Sequence, residues 1–237
     1  METHIRLKKE APGAATLADW ANSNRRSLQI ALVAIVAALV VVVSAVVIAN
    51  SRAEKAQEAF GDAMHIYETP VALAGQPVPP GVKTYPSNEE RAKAANGAFS
   101  AIADKYGMTS AGRNANYMAG VTAFEMGQTA TAESRLKKVA DGWNSERASL
   151  ANLALAHLYQ QTGRDSEAIA LYEKMTRNPT TTVPAGLAQL QLASLYEAEN
   201  KPAEAKKIYA TLKDKDKEGK TAIGDMANRK LSGQAIE

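Results

Sequence analysis

Cysteine is missing altogether from these 237 residues, so the chain can contain no disulfide, no thiolate nucleophile and no lipidated N-terminal cysteine. A disulfide-free domain is compatible with an oxidising compartment but does not by itself establish export. Aromatic residues make up 5% of the chain, and only three histidines are present, at positions 4, 65 and 157. Also missing are a phosphate-binding loop, a dinucleotide fingerprint and a nucleophile motif, which leaves catalysis few carriers. A basic stripe is lacking too. Counting Lys, Arg, Asp and Glu, the residues before Leu28 carry five positive and three negative groups, and the rest of the chain carries 23 and 22. A nearly neutral body has no electrostatic footprint for phosphate backbones, which argues against nucleic acid as a partner.

What the chain does have is a run of 22 residues, Leu28 to Ala49, without a charged side chain, immediately preceded by Arg25 and Arg26. As a helix it would reach roughly 33 Å, enough to cross a hydrocarbon layer of roughly 30 Å. The run exceeds the roughly 7 to 15 apolar residues of a signal peptide. Although Ala49 and Ser51 offer small residues at a cleavage spacing, the expectation is therefore a retained anchor. Arg6, Lys8, Lys9, Arg25 and Arg26 outweigh Arg52 and Lys55 behind the run, which places the N-terminal tail in the cytoplasm and the C-terminal part outside. The organisation read from sequence is thus a tail over 1–27, a transmembrane helix over 28–50, a first split helix pair over 51–110 and repeats with a capping helix over 111–237.

The body beyond the run is Ala-rich, and its apolar residues recur at helical spacing. Three segments align without gaps: Asn116 to Ala140, Asn152 to Thr176 and Gln189 to Lys213. Small residues recur at Gly120, Ala156 and Ala193 and again at Ala132, Ala168 and Ala205, where two helices must approach closely. Gly127, Gly163 and Asn200 stand where the first helix of each pair must stop, the position that favours Gly and then Asn. Thr129 and Asp165 are expected N-caps for the second helices, and Pro202 suits a first turn. Tyr159, Tyr172, Tyr196 and Tyr209 are expected to fill the space between helices. A further split copy precedes these, with Ala95, Phe99 and Ile102 on a helix from Asn88 to Tyr106 and its partner from Ser51 to Glu68, separated by a Pro-rich loop over 69–87. At the other end Ile223, Met226, Ala227 and Leu231 form one apolar stripe, suited to a helix that closes the array. The charge run from Lys213 to Lys220 reads as a solvated connector.

This order of a small residue, an aromatic, a helix stop, a second small residue and a bulky one resembles the tetratricopeptide repeat. Steps of 36 and 37 residues separate Gly120, Ala156 and Ala193, against the usual 34, and the surplus falls around Trp143 to Glu146 and Pro179 to Pro184. Ala123 replaces the aromatic in the first copy, and no Pro closes a second helix in phase. With the N-terminal transmembrane helix read above, the resemblance implies an all-α fold in which that helix is followed by an α-solenoid of three to four helix pairs with a C-terminal capping helix. It also places Asn114, Tyr117, Val121, Phe124, Leu150, Leu153, His157, Gln160, Leu187, Leu190, Ser194 and Glu197 along a protein-binding groove. The four leucines could instead simply pack between neighbouring helices. In the relatives that grip a C-terminal carboxylate the groove carries Lys and Asn; Tyr117, Val121, Leu187 and Gln191 here supply no fixed cation for that purpose.

Asp62, His65 and Glu68 share one helical face but lack matching ligands from other helices, so they read as a polar stripe. His157, a lone histidine beside Ala156, reads as a hydrogen-bonding group. No catalytic, metal or cofactor site is expected. The layout as a whole, a basic tail, one anchor and about four repeat units, resembles the membrane-anchored type represented by the bacterial ancillary subunit of the SecYEG translocon. That resemblance implies a non-enzymatic, single-pass protein of the bacterial inner membrane with a cytoplasmic N-terminus. Its periplasmic domain would meet translocon components, emerging exported chains or chaperones. A cell-division or envelope-assembly scaffold is the nearest rival, and an enzyme or small-ligand binder is a remote one.

Overall fold

The computed structural model describes residues 20–72, 81, 83–216, 219 and 221–233. His4 and the tail cations Arg6, Lys8 and Lys9, the loop prolines Pro77, Pro79 and Pro80, and Lys217, Glu218 and Lys220 of the charge run lie outside the described residues. The chain divides into two units, one ending at Arg52 and one beginning at Ala53.

The apolar run lies within α1 (Arg25–Glu68). In the first unit its valines, leucines and isoleucines are exposed along the whole run, and by length and composition the helix is a candidate membrane span. The helix continues without a break through Asn50 and Ser51, and the two units divide within it, after Arg52. The reason is local: no Gly or Pro occurs between Leu28 and Phe60, and the Ala, Glu, Lys and Gln of 53–59 are strong helix formers.

The second unit continues with α2 (Asn88–Tyr106), α3 (Ser110–Glu125), α4 (Thr129–Ala140), α5 (Ser145–Gln161), α6 (Asp165–Arg177), α7 (Ala185–Ala198), α8 (Pro202–Lys215) and α9 (Ala222–Ser232). From α2 onwards each helix packs on the next, α3 also touches α5, and α9 also touches α7, which is the arrangement of a stacked solenoid. An isolated bridge between Val71 and Tyr85 closes the ends of the Pro-rich loop.

The two kinds of connection are built differently. Within each pair, Gly127, Gly163 and Asn200 adopt φ of 70°, 71° and 59°, and the following N–H of Gln128, Arg164 and Lys201 returns to the carbonyls of Ala123, Tyr159 and Tyr196 at 2.8–2.9 Å. This is the Schellman closure, and it lets the second helix start only two residues after the stop. Thr129 and Asp165 are consequently the first helical residues and not N-caps; Gln128 and Arg164 hold the cap position and make no side-chain cap bond. Ahead of α2, α3, α5 and α9 a side chain does the capping, whereas Pro184 ahead of α7 makes no side-chain cap bond. Ser87, Thr109, Asn144 and Thr221 accept from the N–H of Glu90, Gly112, Arg147 and Gly224 at 2.9–3.1 Å.

The small residues sit where the repeat register places them: Ala132, Ala156, Ala168, Ala193 and Ala205 are at most 1% exposed. At Gly120 an added Cβ would come within 2.8 Å of Leu136 Cγ, so α3 and α4 approach more closely than any other residue allows. The core runs as three consecutive clusters. One joins Ala63 to Phe99, Ile102 and Ala115; the central one joins Leu136, Leu155, Tyr172 and Leu195; the last joins Leu190, Tyr209 and Ala227 of the capping helix. Tyr159, Tyr172 and Tyr209 are buried, whereas Tyr196 is half-buried against the last two clusters.

Candidate protein-binding groove

The face assigned from the repeat register belongs to the first helix of each pair, α3, α5 and α7. On α3, Asn114, Tyr117, Val121 and Phe124 are half-buried, three or four residues apart and so on one stripe; the last three pack against the central cluster. Burial pushes the Tyr117 phenol above its ordinary pKa. On α5, Leu150, Leu153, His157 and Gln160 are half-buried, with both leucines against the same cluster. On α7, Leu187 is half-buried and also joins it, and Ser194 and Glu197 are half-buried. Leu190 alone among the twelve is buried, at 8% exposure, inside the C-terminal cluster. Its side chain belongs to the helix seam because α9 covers that part of α7.

The stripe is therefore a band of apolar side chains that pack sideways between neighbouring repeats while leaving part of each exposed. Its two ends are polar. At the C-terminal end the Glu197 carboxylate accepts from Lys230 Nζ of α9 at 2.7 Å. At the N-terminal end the Tyr67 hydroxyl donates to Glu125 Oε1 at 2.6 Å, and the Arg91 guanidinium lies 5.5 Å from the Tyr67 ring centre. Burial and the neighbouring Glu125 carboxylate push the Tyr67 phenol up to about 12, so it remains a donor at all physiological pH. Asn96 Nδ2 donates to the Ala119 carbonyl and to Thr122 Oγ1 at 2.8 and 3.0 Å, tying α2 to α3.

His157 is turned into the stack: its ring centre lies 6.3 Å from that of Tyr172 on α6. Burial lowers its pKa, and the Gln191 side chain on α7 acts in the opposite direction. The imidazole is thus neutral at pH 7 and bridges three helices. Asp62, His65 and Glu68 are exposed on α1, and among the described residues no three His, Cys, Asp or Glu side chains converge as a metal set would.

One strong electrostatic knot lies at the edge of the central repeat. Glu133 on α4 accepts from Arg164 Nη1 at 2.7 Å, from Lys137 Nζ at 2.7 Å and from the Tyr159 hydroxyl at 3.1 Å. Arg164 also pairs with Glu167 and lies 4.1 Å over the Tyr159 ring. These donors, Arg164 first and then Lys137, hold the Glu133 carboxyl at about 2. A second fastening is Glu146, whose carboxylate accepts from the Thr181 and Thr182 N–H groups at 3.2 and 2.9 Å, joining the start of α5 to the loop before α7.

Sequence reading did not find Tyr67, Arg91, Glu125 or Lys230 as members of the face. Tyr67 precedes Tyr117 across the Pro-rich loop, and Lys230 lies on the capping helix, so no local period connects them to the stripe. One signal was available: the residues opening the three aligned segments, Asn116, Asn152 and Gln189, are all amides. Asn116 and Asn152 are buried, and Asn116 exchanges bonds with the Arg135 side chain and carbonyl at 3.0 and 3.4 Å.

A family model described as a tetratricopeptide repeat-like domain matches residues 18–179, a stretch that includes the apolar run as well as the first two complete repeats. No curated protein and no solved structure matches the chain significantly.

Proposed function

The chain belongs to this tetratricopeptide repeat-like family, and on that premise we propose that it works as a non-enzymatic scaffold, anchored in a membrane through Leu28 to Ala49, whose repeat domain binds protein partners. The observation that carries this reading is the band of partly exposed apolar residues on α3, α5 and α7, presented in register by left-handed helix stops at Gly127, Gly163 and Asn200. Apolar stripes that remain accessible on a solenoid suit extended or helical peptides. Tyr117 and Phe124 are its aromatic anchors.

The finer proposal is a single-pass protein of a bacterial inner membrane, N-terminus cytoplasmic and repeat domain periplasmic, acting beside the Sec translocon on emerging chains or with periplasmic chaperones. Its support is the cation-rich N-terminal flank, the length of the apolar run, which exceeds that of a signal peptide, and the overall layout. The test is affinity purification of the full chain from mildly solubilised membranes after in-cell crosslinking. Recovery of translocon components or translocating chains is the expected result. Recovery of division or cell-wall proteins in their place would replace this partner assignment, and recovery of no protein partner would remove the scaffold reading.

A further inference from the structure

Among the described residues of the second unit, the exposed large apolar side chains are Met108 at 92% and Trp143 at 82% exposure. They lie in different connections, 107–109 and 141–144, yet one residue joins them. Arg113 Nη1 donates to the Met108 carbonyl at 2.6 Å, and its guanidinium lies 5.7 Å from the Trp143 ring centre. A second arginine faces it: Arg147 donates to Ser110 Oγ at 3.3 Å, and the positive charge of Arg113 acts with burial to lower the Arg147 pKa. Among the described residues neither guanidinium is ion-paired with a carboxylate, unlike Arg164, Arg177 and Arg229. Two cations held side by side without a counter-ion, next to an exposed indole and thioether, form a surface that is incomplete by itself.

The place of this surface in the fold says what completes it. Phe60 packs on Phe99 at 5.7 Å between ring centres, and Arg91 lies over Tyr67, so α1 and α2 run antiparallel and Ala53 stands level with the end of α2. The turn after α2 and the linked turn before α5 therefore share the end at which the chain enters this unit, four residues after the uncharged run ends at Ala49. Covalent attachment this short gives whatever surrounds that run a high effective concentration at this end. Trp and Met beside unpaired arginines is also the composition of groups that settle at a membrane interface.

We propose that this end of the repeat domain is a docking surface for anionic lipid headgroups of the bilayer that holds the apolar run, with Trp143 entering the interface and Arg113 and Arg147 meeting headgroup phosphates. The proposal rests on the reading of Leu28 to Ala49 as a membrane span. Docking would hold the repeat domain against the membrane surface and leave its opposite end, with the Gly127, Gly163 and Asn200 turns, directed away from it.

The full chain carrying Trp20→Phe, so that Trp143 is the only indole, is reconstituted into phosphatidylcholine vesicles with an increasing fraction of phosphatidylglycerol. The expected result is a shift of Trp143 emission to shorter wavelength as the anionic fraction rises, with loss of iodide quenching and gain of quenching by brominated acyl chains. Arg147→Gln should raise the anionic fraction required, each arginine being worth about fivefold in partition. Inorganic phosphate added to the detergent-solubilised chain should not reproduce the shift. Iodide-accessible Trp143 at every lipid composition would overturn the proposal, as it would if an acidic protein were the true occupant. Equal protection in pure phosphatidylcholine would overturn the headgroup assignment. Alkaline extraction of the same vesicles reports separately on the span: a chain that is extracted fails the anchor reading, and a retained chain with accessible Trp143 fails this one.

Discussion

The hydroxyl of Tyr159 donates to Glu133 Oε1 at 3.1 Å, fastening the end of α5 to α4 of the preceding pair. Together with Arg164 and Lys137 it stabilises the carboxylate and holds it at about 2, against an ordinary 4.5. Because the folded-state pKa is the lower one, the contribution is complete above the unfolded value and is lost as pH falls from about 4.5 towards 2. The melting temperature of the chain should therefore drop through that window. Glu133→Gln should start lower at pH 7 and fall less steeply, which circular dichroism melts across a pH series would measure; parallel wild-type and variant curves would contradict the assignment.

Close packing at the small residues predicts that Ala168→Leu and Ala193→Leu each cost about 1 to 3 kcal/mol, since both side chains are fully buried and a larger one must push helices apart. Lys215→Leu, at an exposed position, should stay within about 0.5 kcal/mol. Denaturant midpoints compare the three, and unchanged values for the alanine variants would remove the register.

At Gly163 an added Cβ meets nothing within 4 Å, so the cost of Gly163→Ala isolates backbone conformation from packing. With φ at 71° it should be about 1 to 2 kcal/mol. Asn200→Gly, at φ 59°, should by contrast be tolerated. A neutral Gly163→Ala in chemical denaturation would mean that the left-handed stop is not required.

Tyr117→Ala and Phe124→Ala should weaken partner capture by some thirtyfold, corresponding to about 2 kcal/mol for an aromatic anchor. Both side chains also pack against the central cluster, so each variant should lose some stability as well. Capture is read below the melting temperature of each variant. Undiminished recovery by folded variants would move binding off this face.

Protease added to cells with a permeabilised outer envelope should digest the chain beyond Ser51 and spare the tail. Five cations before the apolar run against two behind it set this expectation. A repeat domain protected until the inner membrane is broken would reverse the orientation.

The repeat pattern was legible because its signals are local. A left-handed stop at 127, 163 and 200 and a stripe at Ile223, Met226, Ala227 and Leu231 each act within a few residues, and the helix from Asn88 to Tyr106 has the bounds expected from sequence. The candidate groove was legible only as a stripe. Its register places Tyr117, His157 and Glu197 on first helices, but which side chains stay accessible depends on what a neighbouring helix covers.

Sequence alone thus determined the helical repeat, its stops and the uncharged run, since backbone propensity and 3.6-residue periodicity operate over one or two turns. Tertiary structure decided that Leu190 is buried while Leu187 stays half-exposed, that Glu197 meets Lys230, that Glu133 meets Arg164, and that Arg113 gathers Met108, Trp143 and Arg147 at one end. Met108 lies five residues before Arg113 and meets it locally; the other partners lie some 30 residues apart in sequence, and their meeting depends on how successive helix pairs stack, a geometry fixed by the volumes filling the seams.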